Sequence, residues 1–265
     1  MPNAQSLEKG KKALLVVSNT GTGKTFQFLT LPGRKFIYMF DPSGLDTISG
    51  FDVTYEYFPP SSSVAIKKTK TGTAGPRVKG SPENSYRTFE EHAEKFLDNS
   101  LDPELYGYTG VQDFDCIAFD STTSLEMLTM DYVLFINGRP DRIPEISDYM
   151  LVGDALLAIY RRFLNLPDKL IYITGHTDLA QDEVSKKILY QFDTRKQVRR
   201  LLPRFVSDYW AIVSSGGKFT LLTCPTKEYP DAKNSFGLPP SVDITIQGKP
   251  RVGDGIGKFF SKKGA

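Results

Sequence analysis

The residues best suited to do chemistry form the run SNTGTGKT at positions 18–25. This run follows a short apolar stretch and precedes a helical pattern. It matches the phosphate-binding motif G-x-x-x-x-G-K-[ST] at every fixed position but the first, where Ser18 replaces Gly. Gly21 and Gly23 allow the backbone to curl until successive N–H groups face an anion. The pattern therefore predicts a strand, a phosphate-binding loop and a helix in succession.

We expect this loop to bind ATP together with Mg²⁺. The ammonium group of Lys24 would reach the β- and γ-phosphates, and the hydroxyl of Thr25 would bind Mg²⁺. Asp120 ends an apolar stretch, as expected of the aspartate that holds Mg²⁺ through water. The predicted contacts to the nucleotide are Asn19, Thr20, Gly21, Thr22, Gly23, Lys24, Thr25 and Phe26.

Two further polar residues follow apolar stretches and complete the predicted catalytic set with Lys24 and Asp120. His176 would sense the γ-phosphate if its strand lies between the strands that carry those two residues; otherwise it is a solvated loop histidine. Asp41 is the first choice for orienting the attacking water. Since it opens the turn-forming sequence DPSG, it can equally be a turn residue. The other histidine, His92, lies in an acidic helical pattern and is expected to be exposed.

The elements that must position these residues follow from the apolar pattern. The chain has 265 residues, of which 40% are hydrophobic and 24% charged, as in ordinary soluble proteins. Continuously apolar runs alternate with helical patterns, which is typical of a parallel sheet covered on both faces. Strands are predicted at 13–17, 36–40, 116–119 and 170–173, and helices at 85–97, 121–136 and 147–166.

The last third of the chain has a different pattern. Residues 209–214 and 218–223, joined by two glycines, predict a β-hairpin, and 241–246 predict one more strand. We therefore predict an α/β domain over residues 1–246, with a mainly parallel sheet and a C-terminal antiparallel hairpin extension. A basic, flexible tail is expected at 247–265.

Two stretches are predicted to be long loops. The first, 61–80, is a basic insert with five cations and no acid, and the second is 177–200. Net charge is only +2, so any surface for a nucleic acid must be local.

Several classes of protein are excluded. No apolar run approaches the ~20 residues that span a bilayer, and the N-terminus has no apolar core typical of a secretory signal. We therefore expect a cytoplasmic protein without a membrane partner. Two cysteines, Cys116 and Cys224, and two histidines make a structural zinc site untenable.

The order of the motifs resembles a known family. SNTGTGKT is followed by FIYMFDPSG, CIAFDSTTSL, LIYITGHTD, a Gly-Gly hairpin and TKEYPDAKNSFGLP. Over residues 13–246 the chain resembles phage-encoded RecA-like P-loop ATPases, the AAA-type phage nucleotide-binding proteins, some of which are single-strand annealing recombinases. The resemblance implies a RecA-like core in which the sensor strand lies between the P-loop and Walker B strands. It also implies a homo-oligomer, a ring or filament with ATP between subunits, in the cytoplasm of a host cell.

The sequence departs from this family at one functional position. RecA relatives carry a catalytic Glu just after the second strand, where this chain reads DPSG. Ser43 cannot act as that base, so either Asp41 substitutes for it or hydrolysis is slow. After the hairpin, Lys227 and Lys233 fall where RecA-like proteins offer a cation to the ATP of the neighbouring subunit.

The resemblance also implies DNA binding by the loops after the Walker B helix and after the sensor strand. The first loop contains Arg139 and Arg142, and the second corresponds to 177–200. Cations in such a loop follow phosphates and aromatic rings stack on bases, although the two rings here can instead be hairpin contacts. The candidates are Lys186, Lys187, Tyr190, Phe192, Arg195, Lys196, Arg199 and Arg200.

The insert and the tail are further DNA-binding candidates. The tail's adjacent phenylalanines, Phe259 and Phe260, could instead dock on a single-strand-binding protein.

These expectations combine into one function with two alternatives. The chain is expected to be an ATPase, stimulated by single-stranded DNA, that promotes strand annealing or pairing in phage recombination or repair. The alternatives are a nucleotide-gated assembly factor with little turnover and a P-loop kinase for a small molecule.

Overall fold

The computed structural model describes residues 12–59, 82–140, 142–181 and 186–260. Within them, the strands are β1 (Lys12–Ser18), β2 (Lys35–Met39), β3 (Thr54–Tyr57), β4 (Cys116–Asp120), β5 (Leu170–Gln181), β6 (Ile188–Phe192), β7 (Asp208–Ser215), β8 (Lys218–Leu222) and β9 (Ser241–Asp243). These nine strands form one sheet: eight follow the order β3-β2-β4-β5-β1-β7-β8-β9, and β6 pairs with β5.

Helices cover the faces of this sheet. They are α1 (Lys24–Phe28), α2 (Pro42–Ile48), α3 (Pro82–Leu97), α4 (Pro103–Tyr106), α5 (Thr122–Ile136), α6 (Ile146–Leu164) and α7 (Lys196–Phe205), with 3₁₀ helices at Val111–Asp113 and Gly255–Phe259. None of these described helices combines the length and apolar character that crossing a membrane requires.

The centre of the sheet is parallel, and its strands are buried on both faces. All neighbours from β3 to β7 pair in parallel, and the β7–β8 hairpin adds antiparallel strands. The predicted α/β class and the hairpin extension are confirmed. Strand β5 lies between β1 and β4, as the resemblance implied, so the residues that end these three strands meet at one edge.

The prediction of a long loop at 177–200 is wrong. Strand β5 continues to Gln181, β6 pairs with it in antiparallel register, and α7 begins at Lys196. Apolar residues alternate along β6, with Ile188, Tyr190 and Phe192 on one face of the hairpin. The last of these is fully buried, which fixes the hairpin to the core.

The expectation of an exposed His92 is also wrong. This side chain lies in an aromatic cluster between α3 and the sheet and is 6% exposed. Its two ring nitrogens lie 3.1 Å from the hydroxyl of Tyr38 and 3.2 Å from that of Tyr108. Burial lowers the pKa of His92 to about 4, so the ring is neutral at physiological pH.

The described part of the expected tail, residues 247–260, is packed on the domain and is not a flexible extension. The backbone N–H of Ile256 donates to Gln27 at 2.9 Å, and that of Gly257 donates to Thr30 at 3.0 Å. The side chain of Ile256 is fully buried. Helix α1, which directly follows the predicted phosphate loop, therefore rests on this C-terminal segment.

The two tail phenylalanines are part of the same packing. Phe259 lies edge-on to Trp210 and Phe260 edge-on to Phe236, with ring centroids 6.0 and 5.0 Å apart. Both rings are half-buried against the core, and docking on a single-strand-binding protein stays a prediction. The basic insert at 61–80 and the last five residues lie outside the described residues.

The packed C-terminus generates a prediction about stability. A Cβ atom at Gly257 would overlap the backbone carbonyl of Thr30. We expect Gly257→Ala to lower the free energy of unfolding by about 1–3 kcal/mol, the usual cost of overpacking, measured by urea denaturation. Val252→Ala, an exposed control in the same segment, should change it by less than about 0.5 kcal/mol. Equal, negligible effects of the two substitutions would show that the segment is not packed.

Candidate functional site

The predicted phosphate loop lies between β1 and α1 and borders a cavity of about 320 Å³. Gly21 and Gly23 have φ angles of +77° and +81°, the left-handed region that favours glycine. The cavity is lined by Thr20, Gly21, Thr22, Gly23, Lys24, Thr25, Phe26, Asp41, Ser43, Gly44, Thr47, Asp120 and His176. The structure therefore brings the P-loop and all four predicted catalytic residues together around one space.

Lys24 is folded back into the loop and is 6% exposed. Its ammonium group donates to the carbonyl oxygens of Ser18 and Asn19 at 3.2 and 3.1 Å. Burial lowers its pKa to about 8, and the negative charges of Asp120 and Asp41 partly oppose this shift. These carbonyl oxygens carry only partial negative charge. A phosphate group in the cavity would offer the ammonium group of Lys24 a full negative charge instead.

Ser18 takes the position where the motif has glycine, and its side chain has a role in the loop. The residue is fully buried, and its hydroxyl accepts a hydrogen bond from Lys24 at 3.0 Å. The same hydroxyl bonds to that of Thr22. Ser18 therefore adds a partner for Lys24, and Gly21 and Gly23 still take the left-handed conformation.

Thr25 and Asp120 form the predicted metal pair. The hydroxyl of Thr25 donates to Oδ2 of Asp120 at 2.5 Å. Because Asp120 is expected to hold the ion through water, Thr25 can keep this hydrogen bond while its oxygen binds Mg²⁺ directly. Among the described residues, no group of three or more His, Cys, Asp or Glu side chains is arranged to hold a metal ion by itself. Such a sparse donor set fits Mg²⁺, which takes its other ligands from water and phosphates.

Thr174 fixes the orientation of Asp120 and was not predicted from the sequence. Its hydroxyl donates to Oδ1 of Asp120 at 2.5 Å, leaving Oδ2 for Thr25. The residue lies inside β5 and is 1% exposed. A hydroxyl residue directly after the apolar run 170–173 was the available signal, but its partner lies 54 positions away in the sequence.

His176 lies where a γ-phosphate sensor is expected. Its backbone pairs with Ser18 in the β1–β5 register, and its Nδ1 lies 3.5 Å from Nζ of Lys24. Burial, and then the charge of Lys24, lower the pKa of the half-buried imidazole. A neutral ring therefore faces the cavity. The next residue, Thr177, donates to the side-chain oxygen of Asn19 at 2.7 Å and joins β5 to the loop a second time.

Asp41 combines the two alternatives left open by its sequence context. Its Oδ1 accepts from the backbone N–H and the hydroxyl of Ser43, at 3.0 and 2.8 Å, and thereby caps α2. It also lines the cavity. Among the described residues, Oδ2 has no hydrogen bond, so one carboxylate oxygen is open to a water molecule.

The residues expected to bind DNA fall into two groups, those engaged within the chain and those accessible to a ligand. Phe192 is fully buried, so its expected stacking on a base is wrong. The ring of Tyr190 stacks on that of Tyr229 at 5.0 Å. Arg195 pairs with Glu126 at 2.7 Å and lies over the ring of Tyr149. The remaining candidates are accessible: Lys186, Lys187, Lys196 and Arg200 are exposed, and Arg199 is half-buried.

The other predicted cations also differ in availability. Lys233 donates to the carbonyl of Val206 at 2.6 Å and is engaged within its own chain, whereas Lys227 is exposed. In the loop between α5 and α6, Arg139 is bound to the buried carboxylate of Asp148 at 2.7 Å, and Arg142 is exposed.

A comparison with known families agrees with this geometry. Residues 10–236, well over half of the chain, match the family model of an AAA domain. That match indicates a P-loop ATPase that binds a nucleotide. No curated protein matches the sequence.

The bond from Thr174 generates a prediction about metal affinity. Thr174→Val preserves the side-chain volume but removes the donor that orients Asp120. We expect the Mg²⁺ concentration at half-saturation to rise about 10–100-fold, measured by Mg²⁺-dependent binding of a fluorescent ATP analogue. Thr129→Val is the matched control, because Thr129 is equally buried but donates to the carbonyl of Leu125 in α5. An unchanged Mg²⁺ requirement in Thr174→Val would contradict the role of this bond.

The buried Lys24 generates a prediction about pH. Its pKa is about 8 in the folded protein and 10.5 in the unfolded chain, so unfolding takes up a proton between these values. Its contribution to stability therefore rises with pH in that window. Measured without nucleotide, the unfolding free energy of wild type relative to Lys24→Met should increase by about 3 kcal/mol from pH 7 to pH 10.5. A difference that is constant with pH would mean that Lys24 titrates normally.

Proposed function

This chain belongs to the AAA domain family, and from that membership we propose that it is a Mg²⁺-dependent, RecA-like ATPase. The observation that carries the proposal is the meeting of Lys24, Thr25 and Asp120 around one cavity, with Thr25 and Asp120 in direct contact. These are the cation, the hydroxyl and the carboxylate that phosphoryl transfer requires at the β- and γ-phosphates.

Each residue has a defined task in this proposal. Thr25 and Asp120 would hold Mg²⁺, which when bound neutralises charge on the phosphate oxygens. Lys24 exchanges its carbonyl partners for phosphate oxygens. Asp41 accepts a proton or a hydrogen bond from the attacking water with its free Oδ2. The neutral imidazole of His176 donates to the γ-phosphate and thereby reports whether that phosphate is present.

The proposal extends to DNA. We propose that hydrolysis is coupled to single-stranded DNA and supports strand annealing or pairing in phage recombination or repair. Supporting this, β5 runs from the cavity at His176 into the hairpin, and exposed cations lie on the hairpin tip and on α7. Oligomerisation, with Lys227 supplied to the ATP of a neighbouring subunit, belongs to the same proposal.

One observation favours a second function, a nucleotide-gated assembly factor with little turnover. Besides the metal partner Asp120, the only carboxylate lining the described cavity is Asp41, and one of its oxygens is committed to capping α2. A weak base at this position would give slow hydrolysis, and the bound nucleotide would then act as a switch.

Steady-state turnover of ATP tests the proposal. We expect wild type to require Mg²⁺, to be stimulated by oligo(dT), and to lose that stimulation as salt rises, because phosphate contacts release counterions. Lys24→Ala should abolish turnover. Lys218→Ala, an exposed cation at the far hairpin, is the control and should behave as wild type.

The outcomes separate the candidate functions. Turnover that depends on Lys24 but ignores DNA would contradict the coupling to single strands. Tight binding of ATP with negligible turnover would favour the switch.

A further inference from the structure

Helix α7 presents a row of cations to solvent. Lys196, Arg200 and Arg204 are exposed and follow one another at intervals of four residues, so they lie on one face of the helix. Successive members are separated by about 6 Å along the helix axis. Residues 196–205 include a fourth cation, Arg199, and no acidic residue. The outer face of α7 is therefore a continuous positive strip, which we call the α7 row.

The opposite face of α7 packs on the protein core and thereby holds the row at the surface. Val198 and Leu202 are fully buried in the core. Near one end of the helix, Gln197 donates to Asp154 of α6 at 2.6 Å, and near the other the guanidinium of Arg161 lies 4.7 Å over the ring of Phe205. The two helices therefore run side by side, and the row is held outward on a rigid support.

The cations of the row are not neutralised within the described part of the chain. None of its three residues has an ion pair there, whereas Arg195 pairs with Glu126 and Arg162 with Glu94. On the neighbouring helix α6, Asp154 accepts a hydrogen bond from Gln197 and has no ion pair with the row among the described residues. A strip of three uncompensated, evenly spaced cations favours a ligand that carries negative charge at regular intervals.

We propose that the α7 row binds the phosphate backbone of a single nucleic-acid strand. This inference rests on the proposed coupling to single-stranded DNA and identifies the surface that would carry it. A single row of cations follows one backbone, and between Lys196 and Arg204 no large apolar side chain is exposed to anchor a protein partner.

The position of the row also links a bound DNA strand to the nucleotide cavity. Lys196 directly follows the connection from β6, where the backbone N–H of Asp193 donates to the carbonyl of His176 at 2.9 Å. Thr194 and the backbone N–H of Arg195 donate to Glu126 of α5 at 2.5 and 2.8 Å. A DNA strand bound to the row would therefore contact α7 directly beside the segment that holds His176 at the cavity.

Fluorescence anisotropy with labelled oligo(dT) between 50 and 200 mM salt tests the inference on the full chain. The variant replaces Lys196, Arg200 and Arg204 with Ala. If three phosphate contacts are lost, the slope of log K against log salt becomes shallower by about 2, and binding near 0.1 M salt weakens about 100-fold. The control replaces three exposed cations elsewhere, Lys95, Lys218 and Arg251, and should keep the wild-type slope.

The possible results distinguish this inference from the proposed function. If wild type binds oligo(dT) and the row variant has the same affinity and slope, the row is overturned while the DNA function stands. If wild type binds no oligo(dT) but binds polyglutamate through the row, the surface binds an acidic protein. The proposed coupling to DNA and the proposed role of the α7 row then both fail. Thermal unfolding, followed by circular dichroism, checks that the variants are folded. If the triple variant unfolds at a lower temperature than wild type, Arg200→Glu replaces it and should also weaken binding of oligo(dT).

Discussion

The bonds of strand β5 to its two neighbours hold the candidate nucleotide site together. Thr174 orients Asp120 on β4, and two residues later His176 faces Lys24, which follows β1. Thr177 then donates to Asn19 in the phosphate loop. Because β5 lies between β1 and β4, the metal pair and the phosphate loop have the geometry of a single site only while this strand is in register. The cavity, the low pKa of Lys24 and the proposed chemistry all depend on it.

The same strand continues beyond the site, so the nucleotide and the outer surface share a rigid element. After Thr177, β5 enters the hairpin with β6, and the β6–α7 connection returns to His176 through Asp193. Glu126, in the helix that follows Asp120, accepts a hydrogen bond from the backbone N–H of Arg195 in this connection. A change in the register or tilt of β5 would therefore act on the phosphate loop and on α7 together, as the proposed coupling to DNA requires.

The sequence predicted what is local and missed what depends on distant partners. The phosphate loop and the pair Thr25–Asp120 follow from short motifs, and the core strands follow from apolar runs. The bond from Thr174 joins residues on different strands, and no spacing rule indicates it. The packing of 247–260 depends on Gln27 and Thr30, more than 200 positions away. The hairpin at 177–192 does not show in the sequence, because half-buried strands at the end of a sheet alternate in polarity and lack the continuous apolar run of a core strand.

Hydrogen exchange of the backbone amides, with and without Mg²⁺ and a non-hydrolysable ATP analogue, tests the central role of β5 most directly. We expect the analogue to slow exchange in the phosphate loop and also in residues 176–181 and 188–192, since one strand connects them. Lys24→Ala should remove both effects. Protection confined to the phosphate loop, with unchanged exchange in the hairpin, would contradict the claim that β5 links the nucleotide to the outer surface.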